Sequence, residues 1–434
     1  MTSAIEDATV RKVTRRLVPF LFVLYVVCFL DRVNVGFAAL QMNRDLGLSA
    51  TAYGLGAGIL FIGYALFEVP SNIILARVGA RRWIARIAIT WGLLSAAMMF
   101  VRGTYSFYAL RFLLGVAEAG FFPGIIFYLG NWYPAKDRAR AVAWFMTAVP
   151  LAAVIGGPLS GALLGLNGRL GLAGWQWLFL LEGLPSVVLG VVVLWFLTDR
   201  PSQAAWLTPE QRAWLDARLG AERAQRQKHH DINVRRVFAH ATVWELGLLY
   251  ALGSAGTYGL ALWLPQILKS LSASSDFAIG LMSATPNLVG AVAMVWIGIH
   301  SDRTGERCFH VAACCAIAGL GFVWSAYLTS PWLALVGLSV AAIGVNGRYG
   351  PTWAMPSLFL GDEAAAAGIA LINSLGAVAG FVAPYTIGIV RDVTGSFRGG
   401  LLFLALLMFA GAYSAIGLSR RTVLRVIPVT QEAT

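Results

Sequence analysis

The stretch Leu24-Tyr-Val-Val-Cys-Phe-Leu-Asp-Arg-Val-Asn-Val-Gly-Phe37 sets an acid and a base, Asp31 and Arg32, inside a run that is otherwise apolar enough to cross a bilayer. The run begins near Leu17, so the pair falls roughly 15 residues in, about 20 Å along a helix. A charge that deep is costly, and such residues face a water-filled path or one another. Two readings without function stand beside that one: a static buried ion pair, or a helix that ends at residue 30. The rest of the chain decides between them.

Hydrophobic residues make up 58% of the 434 and charged residues 12%, with a mean hydropathy of +0.71. A soluble globular chain carries about twice that charged fraction. The 47 glycines and 15 tryptophans suit membrane helices with close contacts and interfacial anchors. The class is therefore an all-α polytopic membrane protein. Residues 1–16 are polar and end in Arg11, Lys12, Arg15 and Arg16. The apolar run behind them is too long for a signal-peptide core, and no small-residue cleavage site closes it, so a retained first span is expected. Cys28, Cys308, Cys314 and Cys315 lie on or near apolar spans without metal or redox spacing, which leaves packing as their role.

Twelve spans can be drawn: 17–40, 52–76, 83–101, 106–130, 140–166, 174–197, 242–268, 277–300, 309–328, 332–359, 364–390 and 396–418. Each is long enough for a tilted helix. They divide the chain into an N-terminus (1–16), a six-helix half (17–197), a polar connector (198–241), a second six-helix half (242–418) and a C-terminus (419–434). Within the connector, Leu207-Thr-Pro-Glu-Gln-Arg-Ala-Trp-Leu reads as a short amphipathic helix with Thr208 as N-cap, Pro209 in its first turn and Gln211 closing a capping box. Of the 33 lysines and arginines, 24 fall in, or at the span edges beside, the termini, the connector and the loops after even-numbered spans. Six fall in the opposite loops (Arg44, Arg102, Arg169, Lys269, Arg391, Arg398), and Arg32, Arg111 and Arg348 lie within spans. That bias places both termini in the cytoplasm. It also assigns the net charge of +12 to topology and anionic lipid rather than to nucleic acid.

The two halves echo each other. Asn72-Ile-Ile-Leu-Ala-Arg-Val-Gly-Ala-Arg81 follows the second span and Gly298-Ile-His-Ser-Asp-Arg-Thr-Gly-Glu-Arg307 follows the eighth. Arg77, Gly79 and Arg81 recur as Arg303, Gly305 and Arg307 at the same offsets. A tight basic turn between helices needs Gly for backbone room and cations for helix-end and leaflet contacts. Such a repeat implies that one half rocks on the other during gating.

The Gly-x-x-x-Asp-Arg-x-Gly-x-Arg pattern at 298–307 resembles the signature loop of the major facilitator superfamily. Asp31-Arg32-x-Asn34, Pro70-Ser71-Asn72, Arg111-Phe-Leu-Leu-Gly-Val-Ala-Glu-Ala-Gly120 and Ala370-Leu-Ile-Asn-Ser-Leu-Gly376 resemble its anion:cation symporter family. That family includes bacterial carriers for sugar acids, tartrate, phthalate and hydroxyphenylacetate, and is related to vesicular glutamate and lysosomal sialic-acid carriers. The likeness covers essentially the whole chain and is not specific for substrate. One departure is Ala76, where the superfamily loop usually has Asp, so the first half is expected to lack the gate contact available to Asp302.

Arg111 and Glu118 are seven apart, two turns of one helix face. With Asp31 and Arg32 they give two acids and two guanidiniums in the first half, the set that coupled transport of an anion and a proton needs. The resemblance implies that Asp31 and Glu118 bind protons and that Arg32 and Arg111 contact a substrate carboxylate or hold the acids; static ion pairs are the alternative. In the second half, Asn346-Gly-Arg-Tyr-Gly-Pro-Thr-Trp353 puts Arg348 and Tyr349 beside Gly350 and Pro351, which break the helical ladder. Tyr64, Trp353 and Asn373 match family positions lining a central cavity, with ordinary packing as the other reading. Arg348 in that cavity would favour a dicarboxylate or bulkier acid; turned outward, it is a snorkelling side chain. Gly156-Gly-Pro-Leu-Ser-Gly161 and Gly376-x-x-x-Gly380 with Pro384 are expected to form the moving interface of the halves. His229, His230, His240, His300 and His310 sit in connectors or at span ends without metal spacing.

No Ser–Lys, His-rich or Asp-x-x-Asp set and no cofactor or metal site speaks for an enzyme, and no long soluble domain speaks for a sensor. The expectation is a monomeric carrier of the bacterial inner membrane, its partners being protons, phospholipid and a small organic anion, either a hydroxy dicarboxylate or a sugar acid. Uniport or exchange without protons, or an aromatic acid as cargo, are the alternatives.

Overall fold

In lipid, each backbone N–H and C=O needs a partner within its own segment, and the chain meets that demand with helices. The structure is a computed structural model that describes residues 2–227, 241–359 and 362–426. His229, His230 and His240, part of the connector and part of the C-terminal tail lie outside the described residues. Among the described residues, twelve helical segments are long and apolar enough to cross a membrane. In chain order they are α1 (Ile5–Asp45), α2 (Ala50–Val78), α3 (Ala80–Phe100), α4 (Thr104–Gly130), α5 (Ala135–Leu164) and α6 (Gly174–Phe196). The others are α7 (Ala241–Leu271), α8 (Asp276–Thr304), α9 (Cys308–Tyr327), α10 (Pro331–Pro356), α11 (Leu371–Thr394) and α12 (Arg398–Arg420). Their outward faces are apolar, with Trp296 70% and Leu406 66% exposed, as a lipid-facing surface requires.

The chain separates into two compact units, Met1–Gly47 with Ile59–Asp231 and Leu48–Gly58 with Ile232–Thr434. In the first, α3 and α6 cross almost backbone to backbone. A Cβ on Gly92 would come within 2.7 Å of the Gly183 carbonyl oxygen, and one on Gly183 within 2.7 Å of the Ala96 nitrogen. Gly63 packs against the Phe112 carbonyl and Gly115 against that of Leu60, which brings α2 and α4 equally close. The connector helix Pro209–Gln227 opens with a reciprocal capping box: Thr208 N donates to Gln211 Oε1 and Gln211 N to Thr208 Oγ1, both at 3.2 Å. Leu207, Leu215 and Leu219 are buried beneath it.

In the second unit, the first turns of α2 are capped by Asp392, whose carboxylate accepts from Ala50 N at 3.0 Å and Thr51 N at 2.7 Å. Tyr53 donates to the Leu262 carbonyl at 2.8 Å, and Gly54 lies against the Pro384 carbonyl. Of the small residues singled out in the sequence, Gly156 sits on Leu30 and Gly376 on the Tyr250 ring. All four cysteines are buried and unbridged.

Candidate functional site

Several spans are interrupted near mid-length, and charged residues sit at two of the interruptions. In α4 the helix Thr104–Glu118 ends on Glu118, and a new one begins at Phe121. Pro123 explains the break. It has no N–H to give the Ala119 carbonyl, so that oxygen would be orphaned in a full helix. Ala119 is extended and Gly120 is left-handed (φ 85), and Ser71 of α2 supplies the missing donor at 2.6 Å. Trp83 Nε1 in turn donates to Ser71 Oγ at 2.9 Å. The Pro70-Ser71-Asn72 stretch thus holds the break that ends the helix at Glu118.

Glu118 is fully buried and pairs with Arg32 of α1. Arg32 lies over the Tyr64 ring, 5.4 Å from guanidinium to centroid, so the ring quadrupole shares in holding the cation. Arg111 is 1% exposed on the same face of α4, two turns before Glu118. Asp31, although adjacent to Arg32, makes no ion pair with it. It accepts from Ser95 Oγ of α3 at 2.7 Å and from Ser186 Oγ of α6 at 2.8 Å. Asp31 is thus turned to hydroxyls and Arg32 to Glu118, because neighbouring residues on a helix point in different directions.

In the second unit, α10 breaks at Arg348, between the helices Pro331–Gly347 and Tyr349–Phe359. Pro351 removes the N–H that the Gly347 carbonyl would have used. Arg348 is 1% exposed. It does not snorkel outward; it is cradled by α7, where a Cβ on Gly253 would collide with its guanidinium. Thr257 organises the group. Its hydroxyl donates to the Gly253 carbonyl at 3.2 Å and accepts from Arg348 Nη2 and the Tyr349 hydroxyl, each at 3.1 Å. The Tyr349 ring lies 4.8 Å and the Tyr250 ring 5.9 Å from the guanidinium. Nε and Nη1 of Arg348 are buried with no hydrogen-bond partner, and among the described residues no carboxylate pairs with it. Trp353 packs at a tilt on Tyr250 at 4.8 Å, against a cluster that includes Leu249, Met355 and Ile372. Asn373 is half-buried on α11, next to Ile372.

The two loops differ in how they find a carboxylate. Arg307 donates to Asp302 at 2.7 Å and to Ser301 Oγ at 3.0 Å, with Gly305 left-handed (φ 69) at the turn and Arg303 exposed. In the first unit Ala76 offers nothing, and Arg77 is exposed. Asp199, just past α6, takes the place expected to be vacant: it accepts from Arg81 N at 2.8 Å, lies 4.0 Å from Arg81 Nε and fills the space beside Gly79 (φ 99). The carboxylate at this turn therefore comes from 118 residues away. At the start of α9, His300 Nδ1 lies 2.8 Å from His310 Nε2.

Sequence reasoning passed over Thr257, Ser71, Asp199 and Glu182. The last had a signal of its own, a lone acid in an apolar run, the same signal that singled out Asp31. Ser71 lay inside a quoted motif without a role, and Thr257 and Asp199 take their meaning only from partners far along the chain.

Comparison with known proteins supplies the family. The model described as Major Facilitator Superfamily matches residues 21–384. A protein of Agrobacterium vitis provisionally named a tartrate transporter is 53% identical over 420 residues, covering 97% of this chain and 96% of that one. A quinolone resistance transporter of Acinetobacter baumannii is 42% identical over 406 residues, covering 94% of each. The inward-facing, occupied crystal structure of a bacterial homolog to the human lysosomal transporter Spinster has a TM-score of 0.77 at 17% identity, covering 94% of this chain and 97% of that one. At that identity the likeness is one of fold.

Proposed function

The chain belongs to the Major Facilitator Superfamily, whose members are membrane transporters rather than enzymes, and from that premise we propose that it takes up a hydroxy dicarboxylate of the tartrate type together with protons. The observation that carries this reading is Arg348, a buried permanent cation with two unpartnered nitrogens and, among the described residues, no carboxylate paired with it. Leaving such donors unsatisfied costs about 1–3 kcal/mol each, and an anionic ligand would remove that cost. A planar guanidinium fork matches a carboxylate. Arg32 of the first unit offers the same chemistry to another carboxylate. The name of the Agrobacterium vitis relative supports a hydroxy dicarboxylate as the class.

Proton coupling follows from the Arg32–Glu118 pair. An incoming carboxylate competes with Glu118 for the Arg32 fork. Once displaced, Glu118 is buried without its cation and takes up a proton, so anion and proton move together and each favours binding of the other. Asp31 is the second proton carrier. Arg111, Tyr64, Tyr349, Trp353 and Asn373 complete the substrate set, and the Asp302–Arg307 and Asp199–Arg81 turns act as gates. The carrier works as a monomer in the inner membrane with both termini cytoplasmic, a topology supported by the basic-residue bias.

Proteoliposomes enclosing a pH dye test the coupling. External tartrate is expected to acidify the lumen as it enters, and Glu118→Gln to abolish that acidification. Counterflow of tartrate without proton movement would leave an exchanger or uniporter instead. A second reading, an aromatic carboxylate as cargo, is favoured by the Tyr349, Tyr250 and Trp353 rings around Arg348 and by the name of the Acinetobacter baumannii relative. Competition of phthalate against labelled tartrate decides between them.

A further inference from the structure

Helix α6 is apolar from Gly174 to Phe196 except for one charged residue, Glu182. It is 4% exposed, on a span where an isolated ion would be costly. Its surroundings offer hydroxyls rather than cations. Ser160 of α5 donates to Oε1 at 2.9 Å, and Oε2 is buried with no hydrogen-bond partner. Asn34, one turn past Asp31 on α1, borders the same carboxyl group, and Asp31 is near enough for its charge to act on it. Asp31 in turn is fully buried and held by Ser95 and Ser186.

Ser186 lies one turn beyond Glu182 on the same face of α6, so a single stripe of that helix carries both an acid and a donor to the other acid. The Gly92–Gly183 approach of α3 and α6 is what brings Ser95 and Ser186 within reach of Asp31. Around the two acids, α3 presents Ser95, α5 presents Ser160 and α6 presents Ser186. On α1 the titratable or charged neighbours are Cys28, one turn before Asp31, and Arg32, which is turned to Glu118 of α4. Among the described residues neither Asp31 nor Glu182 forms an ion pair. An ionised carboxylate accepts hydrogen bonds only, and one uncompensated buried ion is already costly. A second beside it adds repulsion in a medium that screens poorly.

We propose that Glu182 and Asp31 form a second proton-binding site in the first unit, separate from the Arg32–Glu118 pair, in which the two carboxyl groups hold at least one proton between them. Its role in transport rests on the coupled-uptake reading above; its chemistry does not. Occupied by protons alone, it adjoins the anion-binding arginine through the Asp31–Arg32 peptide bond. A change of protonation on the pair therefore acts on the helix segment that presents Arg32.

Infrared difference spectra across a pH step test the site on the full-length protein in nanodiscs, without substrate or gradient. The carbonyl stretch of protonated carboxylic acids is read in wild type, Glu182→Gln and Asp31→Asn. Each substitution is expected to remove one acid band and to displace the band of the remaining acid. Acid bands unchanged in a Glu182→Gln protein that melts as wild type does would overturn the proposal. If Glu182→Gln does not fold, Ser160→Ala keeps the acid and removes its donor. A band displaced but retained supports the site, and an unmoved spectrum overturns it. Failure here with tartrate-driven proton flux intact removes the second site only; failure of the flux with both bands present removes the coupling only.

Discussion

A guanidinium flanked by two aromatic rings and one hydroxyl is charged but not neutralised, and Arg348 is in that position. Arg348→Ala is expected to abolish tartrate binding in calorimetry. Arg348→Lys keeps the charge but loses the planar fork, and should weaken binding by about 1.5–3 kcal/mol, on the order of tenfold or more. Thr257→Val removes the hydroxyl that orients both Arg348 and Tyr349, at about 1 kcal/mol, roughly fivefold in affinity. A Thr257→Val protein with wild-type affinity would show that the hydroxyl orients nothing that matters. In the first unit, Arg32→Ala or Arg111→Ala is expected to eliminate binding, and retained affinity in either would remove that arginine from the substrate set.

Among the elements, α4 has a break that ends a helix on Glu118. Ser71→Ala leaves the Ala119 carbonyl without its donor and Trp83 without its acceptor, which should cost about 1–3 kcal/mol of stability. Adding Pro123→Ala to it restores a backbone N–H for that carbonyl. The double variant should melt above the Ser71→Ala single, an interaction energy that a thermal-denaturation cycle measures. The long apolar runs, their order and the capping box at Thr208 were all legible from residue spacing, because spans and caps are local. The break at Ala119 was legible in principle from Pro123, but its repair came from another helix. The partner of Glu118 was not legible at all. The Arg32–Glu118 pair joins α1 to α4, and such a partner across helices is set by tertiary packing rather than by spacing along the chain.

At the scale of the whole molecule, each unit closes its basic turn with an acid, but from different places: Asp302 lies within its own loop and Asp199 lies at the far end of α6. The sequence echo therefore understated the functional symmetry, since chemistry was restored by a residue outside the repeat. Asp199→Ala and Asp302→Ala are each expected to slow uptake severalfold while leaving the tartrate dissociation constant unchanged, a split that flux and calorimetry together resolve. A matching loss of affinity would place these turns in binding instead. One feature of the first unit has reach beyond its own contacts. Successive side chains on a helix diverge by about 100°, and on α1 Asp31 is tied to α3 and α6 while Arg32 is tied to α4. Both ties hold together at only one rotational setting of α1 about its own axis. That helix is a torsion rod clamped by opposing grips, and on the proposed mechanism a proton at one grip or an anion at the other would let it roll toward the grip that remains.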